Sequence, residues 1–407
     1  MTLGRLISAF GFGADAALTG GFGLLLVVLA ARSGSVEEFG QFSLILAVVA
    51  AQAALANFGL GTLTYGRAVA HPVGSGRLLG SAIFIVTVFG SSFYAVTLLA
   101  LSAFADLTTS ILYAAAGLRL VGAVGLVMPQ HAMARRALGE YLPARHLTIL
   151  PAMVATVYAY SMGWSLLVFA LIWGIEGLLF AFVCAFTLGR RHAKWNSRNR
   201  YRSYLAKAAP IAFQSLCVIV YLRFDQIYVG WRFGDSALGL YAAAAKIAEA
   251  GNLAFSVLAL VVSPSIIKQI CRSGKLNRQT FGFLALLAGI TLMLSVGALL
   301  IGGNLLAFIF GFEYAAAFTI LAIYMGSIMF VAYGSIGSRV LASQGVSTAQ
   351  MMSGAGGALS NVVLSVIFGE MIGLEGIALA TVASYALAVF ILWQAVLRST
   401  KGMSRFR

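Results

Sequence analysis

Long apolar stretches alternate with short polar ones over the whole chain. A helix needs about 20 apolar residues to cross roughly 30 Å of hydrocarbon. Runs of that order lie near 9–31, 39–63, 78–103, 107–129, 146–163 and 164–189. Six more lie near 208–231, 237–262, 280–302, 315–337, 348–368 and 374–397. The pattern predicts an all-α polytopic membrane protein of about 12 transmembrane helices, with essentially no soluble domain. Only Ser161-Met162-Gly163 separates the fifth run from the sixth. Arg5 precedes the first run as in a secretory signal, but the run covers about 22 residues and contains Asp15, against 7–15 for a typical signal core. A retained first span is expected.

Composition strengthens this reading. Residues of the AVILMFWYC set make up 61% of the 407, charged residues 10%, and mean hydropathy is +0.95. Soluble domains are about 45–50% apolar and about 25% charged.

Charge adds orientation. Twelve spans place 22 of the 27 lysines and arginines on one side, leaving Arg32 and Arg232 on the other and three within spans. The first side holds Arg5, then Arg67 and Arg77, then Arg135, Arg136 and Arg145. The longest loop, 190–207, adds seven, and Lys268, Arg272, Lys275, Arg278, Arg339 and the C-terminal four complete the set. Glu37, Glu38, Asp106, Asp235, Glu313, Glu370 and Glu375 fall opposite. Lysine and arginine collect on the cytoplasmic side, so both termini are expected in the cytoplasm. The net charge of +15 is then mostly topogenic. Basic residues dispersed over loops argue against a nucleic-acid partner and leave membrane lipid as the anionic neighbour.

Arg32-Ser33-Gly34 with Phe39-Gly40-Gln41-Phe42 recurs as Arg232-Phe233-Gly234 with Leu238-Gly239-Leu240-Tyr241, at matching places between an odd span and the next. The recurrence predicts two six-helix lobes of the same orientation, a repeat of the kind transporters use. One lobe is 1–200 with the connecting basic loop, the other 201–407.

Seven ionisable residues fall within spans: Asp15, Arg119, Glu176, Arg223, Asp225, Lys246 and Glu249. Each costs about 2.5–3.5 kcal/mol at a helix centre on insertion scales, so each is expected to face a cavity or a partner. Lys246 and Glu249, at i,i+3, can pair on one face, whereas Arg223 and Asp225, at i,i+2, cannot. Rise per residue puts Arg223 roughly 12 Å and Lys246 roughly 14 Å below the outer ends of their helices. Two cations at similar depth could meet one diphosphate. The competing reading is a salt-bridge network, Arg223 with Glu249 and Lys246 with Asp225. Arg119 and Glu176 read as a structural pair, and Asp15 as a coupling-ion site or the partner of a cation. Cys184, Cys217 and Cys271 show no metal or disulfide spacing, and His71, His131, His146 and His192 read as solvated loop residues. No metal or other cofactor is expected.

The run Tyr221-Leu222-Arg223-Phe224-Asp225-Gln226-Ile227-Tyr228-Val229-Gly230, followed by Leu238-Gly239-Leu240-Tyr241-Ala242-Ala243-Ala244-Ala245-Lys246-Ile247, resembles the seventh and eighth helices of polysaccharide flippases. These belong to the multidrug/oligosaccharidyl-lipid/polysaccharide exporter superfamily. Glu38-Phe39-Gly40-Gln41-Phe42 with Asn57-Phe58-Gly59-Leu60-Gly61-Thr62 resembles that family's second helix, and Gly373-Leu374-Glu375-Gly376-Ile377-Ala378-Leu379-Ala380-Thr381 its turn into the last. The resemblance implies a flippase, with no catalytic site, that carries an undecaprenyl-diphosphate-linked oligosaccharide between leaflets of a bacterial inner membrane by alternating access. Its implied setting includes proteins of polysaccharide assembly. Substrate would be held by Arg223, Lys246, Asp225 and Glu249. The lipid II branch has fourteen helices and cavity arginines on its first, second and eighth. Here twelve are expected, the first carries Asp15, and Lys246 supplies the eighth, which favours a surface-polysaccharide repeat unit. The alternatives are a cation-coupled multidrug exporter of the same fold, which a tally of four acids to three bases keeps open, and a membrane glycosyltransferase or polymerase.

Overall fold

The computed structural model describes residues 3–70, 75–135, 137–194, 201–273, 278–343 and 348–404. His71, Arg136, Arg198, Arg200, Lys275, Arg405 and Arg407 lie outside them. The described residues are helical almost throughout, with no strand. The chain forms two compact units, Met1–Leu216 and Cys217–Arg407.

The first unit is built from α1 (Leu3–Ser33), α2 (Val36–Asn57), α3 (Leu60–Ala70), α4 (Ser75–Phe104), α5 (Leu107–Val121), α6 (Met128–Arg135), α7 (Leu138–Ser161), α8 (Leu166–Cys184) and the short α9 (Arg190–His192). The helix α10 (Tyr201–Phe233) contains the boundary. The second unit adds α11 (Asp235–Ser273), α12 (Arg278–Ile309), α13 (Phe318–Met325), α14 (Ser327–Ser343), α15 (Thr348–Ile372) and α16 (Leu374–Ser404).

Among the described residues nine helices are long and apolar enough to cross a membrane, and α5 with its continuation through α6, bent by 55°, counts as a tenth when the pair is taken as one span. The bend falls at Gly122, where the chain passes through a 3₁₀ turn, Ala123–Leu126. The predicted segments 146–163 and 237–262 lie in α7 and α11, helices of 24 and 39 residues. Both are long enough to span, at 1.5 Å per residue. Each carries ionised groups that dilute its apolar character: Glu140 and Arg145 in α7, Lys246 and Glu249 in α11.

Helix ends follow local chemistry. Ser35 and Glu38 form a capping box at the start of α2. Side-chain caps of this kind satisfy amides that a helix start leaves unpaired. Asp106 caps α5 through Thr109 N at 2.9 Å, and hydrogen bonds from the Thr109 side chain and backbone hold its carboxyl below the usual range. The predicted second span, 39–63, is broken: α2 stops at Asn57 and the chain turns through Phe58 (φ 46°) and Gly59 (φ 69°). A Cβ on Gly59 would lie 2.8 Å from Ile211, and Asn57 Oδ1 accepts from Gly61 N at 3.0 Å to start α3. The motif at 57–62 is therefore a helix break. The Arg32 and Arg232 motifs also sit at helix junctions, between α1 and α2 and between α10 and α11.

Arg145, expected in a loop, instead lies in α7, which begins seven residues earlier and buries it, 3% exposed, among charged partners. His131 is not a solvated loop residue: it is 2% exposed in α6, its ring 5.7 Å from that of His192. His192 Nε2 in turn lies 3.1 Å from Glu140 Oε2. His146 is exposed but lies within α7, not in a loop.

Candidate functional site

Each unit contains one carboxylate gripped by two cations. In the first, Arg119 Nη1 lies 2.7 Å from Glu176 Oε2 and Arg145 Nη1 lies 2.6 Å from Glu176 Oε1. Glycines on α8 permit this approach. A Cβ on Gly174 would lie 2.1 Å from the Ala115 carbonyl, and one on Gly177 would lie 2.4 Å from Arg119 Cγ. Small residues let backbones meet closely in lipid, and here they bring α5 against Glu176. Arg145 also reaches Asp15 Oδ1 at 3.6 Å and packs its guanidinium 4.5 Å from the Phe180 ring centre. Tyr141 donates to Asp15 Oδ2 at 2.7 Å, and Thr19 accepts from Arg145 Nη2 at 2.9 Å. Two cations and two carboxylates balance, and the Glu176 side chain is wholly buried. The contacts of this cluster join α1, α5, α7 and α8. The Arg119–Glu176 contact was legible in the sequence, while Arg145 was missed.

The second cluster is constituted differently. Arg223 Nη1 on α10 lies 3.0 Å from Glu249 Oε1, and Lys246 Nζ lies 2.7 Å from Glu249 Oε2, both acid and lysine being on α11. Two cations face one carboxylate, a net charge of +1. The side chains are 24% (Arg223), 21% (Lys246) and 36% (Glu249) exposed. Arg223 offers a planar fork suited to bidentate phosphate contact, and Lys246 a point charge. Both cations are thus held by one shared carboxylate.

Asp225 stands apart from this group, 2% exposed and in no ion pair among the described residues. It accepts from Tyr241 at 3.0 Å, from Tyr324, from Thr381 Oγ1 at 3.4 Å and from its neighbour's amide, Gln226 N, at 2.8 Å. The Tyr241 and Tyr324 hydroxyl oxygens lie 2.9 Å apart, so either can donate to the other in place of Asp225. Asn361 Nδ2 donates to Thr381 Oγ1 at 3.3 Å, leaving Asn361 Oδ1 buried with no partner, and one turn along α15 Ser365 Oγ is buried and unpartnered too. Orphaned buried oxygens beside a carboxylate are unusual and call for an explanation. The donor set of hard oxygens with one negative charge suits a proton or a small monovalent cation. No group of three or more His, Cys, Asp or Glu is placed to hold a metal among the described residues.

The fold is shared with known transporters. The chain is similar to an inward-facing multidrug resistance MATE family transporter of the MOP superfamily, at TM-score 0.74 and 15% identity over 94% of this chain and 95% of that one. It is similar to the lipid II flippase MurJ in an inward closed conformation, at 0.72 and 16% over 96% and 87%. A MOP superfamily transporter from Pyrococcus furiosus Vc1 matches at 0.67 and 14% over 98% and 96%. Among curated protein sequences none matches. The class is thus a multi-pass, all-α membrane protein with the fold of MOP superfamily transporters. Within it, the chain belongs to the polysaccharide biosynthesis protein family, whose profile matches residues 29–319, the family its motifs had pointed to.

Proposed function

We propose that this protein is a flippase that moves a polyprenyl-diphosphate-linked oligosaccharide from the inner to the outer leaflet of a bacterial inner membrane. The observation that carries the reading is that two cations, Arg223 and Lys246, on consecutive helices share the single carboxylate of Glu249. An arriving diphosphate displaces Glu249 from both cations. Two six-helix lobes, 1–200 and 201–407, alternate access around it, with both termini in the cytoplasm and proteins of polysaccharide assembly supplying and receiving the glycan. Outward movement of a diphosphate down a 100 mV potential gains roughly 4–5 kcal/mol, so a coupling ion assists and is not obligatory. Asp15, paired with Arg145, reads as a structural partner, and Asp225 with its oxygen neighbours is the better coupling site.

Adding buried Arg145 to the seven ionisable residues expected within spans gives four acids and four bases, which removes the acidic excess that favoured a cation-coupled drug exporter. A glycosyltransferase or polymerase needs sizeable outer loops, yet α1–α2, α4–α5, α10–α11 and α15–α16 are joined by one or two residues each. We therefore assign no enzymatic activity. The test is deletion of the gene, identification of the lipid-linked glycan that accumulates, and complementation. Accumulation of a diphosphate-linked oligosaccharide on the cytoplasmic side supports the reading; normal glycan export in the deletion strain sinks it.

A further inference from the structure

A recess of about 590 Å³ lies on the second unit between the N-terminal end of α15 and the C-terminal part of α16. Its lining is graded along the two helices. Thr348 opens α15, and Arg398 closes the apolar part of α16, with Gln394 one turn inside it. Deeper lie Met352, one turn into α15, and Ile391, two turns in from Arg398. The small side chains of Ala349 and Ala395 leave the space between the helices open. Ala349, with Leu392 and Val396 beneath, belongs to the packed core, so the recess has a solid floor. Met352 is 67% exposed, and Arg398 forms no ion pair among the described residues.

A water-soluble anion would leave the Met352 and Ile391 walls unmatched, and a neutral lipid would leave Arg398 without a counter-charge. The occupant that matches both ends is an amphiphile with an anionic head at the polar mouth and an acyl chain along the apolar walls. The volume falls within the range of small-molecule sites, about 300–1,000 Å³. We infer that this recess binds one anionic phospholipid of the leaflet facing the basic loops, its phosphate on Arg398, Gln394 and Thr348 and an acyl chain against Met352 and Ile391. The site is separate from Arg223 and Lys246 and does not depend on the identity of the transported substrate.

Native mass spectrometry of the purified full-length protein, with added phosphatidylglycerol or phosphatidylcholine, tests this. Wild type should retain one phosphatidylglycerol in preference to phosphatidylcholine. Arg398→Gln should weaken that retention about fivefold, the factor for one basic residue facing an anionic headgroup. Met352→Trp, which fills the recess without altering charge, should also lose the bound lipid. Both positions are exposed, so melting temperatures should stay near wild type. Equal retention of the two lipids, unchanged retention by both variants, or a polyprenyl phosphate found as the tightly held molecule would each overturn the assignment.

Discussion

Arg145 and Arg223 are both arginines that meet a glutamate inside a helical bundle, yet they differ in what surrounds that contact. Arg145 is buried, and without it Asp15 would lose its cation while Glu176 would keep only Arg119. Removing one partner of a buried ion pair costs about 3–5 kcal/mol, because a charge is left uncompensated. Arg145→Ala should therefore lower the amount of folded protein in the membrane, and quantitative immunoblotting with thermal melting in detergent measures this. Melting indistinguishable from wild type would contradict the structural role. Arg223 is only part-buried and shares its acid with a second cation. Arg223→Ala with Lys246→Ala should abolish glycan export while abundance stays near normal. Arg223→Lys should retain part of the export, since charge survives and the bidentate fork does not. Wild-type export by the double variant would rule the receptor role out. Asp225→Asn keeps the shape of its cage and removes the charge. If Asp225 holds a cation, stabilisation of the wild type by sodium over choline in a melting assay should vanish in this variant. The absence of any sodium effect in wild type would leave the cage to a proton.

At the scale of elements, hydropathy located most helices, because uninterrupted apolar length is what lipid demands. It failed where a helix runs past its apolar stretch. The segment predicted at 146–163 is the apolar part of a helix starting at Leu138. Tyr141, Ala144, Arg145 and Thr148 already lie at helical spacing on one buried face, a periodicity that would have placed Arg145 inside. The oxygen cage around Asp225 was beyond reach, since Tyr241, Tyr324, Asn361 and Thr381 come from four separate helices with no common spacing. Only their polar character within apolar runs marked them. The spacing of Lys246 and Glu249 on one helix was legible because three residues place two side chains on the same face. Close backbone contact supports a further expectation. Gly177→Leu on α8 would drive a side chain into Arg119 and Glu176 and should lower folded yield more than Gly289→Leu, a position on α12 with open space around it. Comparable yields would show that α5 and α8 can move apart without cost.

For the whole molecule, the charge asymmetry is a testable map. Single cysteines at Arg67 and Arg191 should react only with reagents admitted to the cytoplasm, and those at Gly163 and Asp235 with impermeant reagents added outside. External labelling at Arg191 would break the twelve-span arrangement. The connection between α9 and α10, 193–200, is eight residues long and carries Lys194, Arg198 and Arg200, whereas α1–α2, α4–α5, α10–α11 and α15–α16 are joined by one or two residues each.

The residues proposed to hold the diphosphate, Arg223, Lys246 and Glu249, all come from α10 and α11, helices joined by Gly234 alone at φ 86°. Under that proposal such a hairpin would be a portable cassette. A recipient of the same fold given residues 217–262 would inherit headgroup chemistry while keeping its own sugar-facing surfaces, so grip on the carrier lipid and choice of glycan can be inherited separately. Lineages could then diversify their surface sugars without redesigning the handle by which every one of them is lifted.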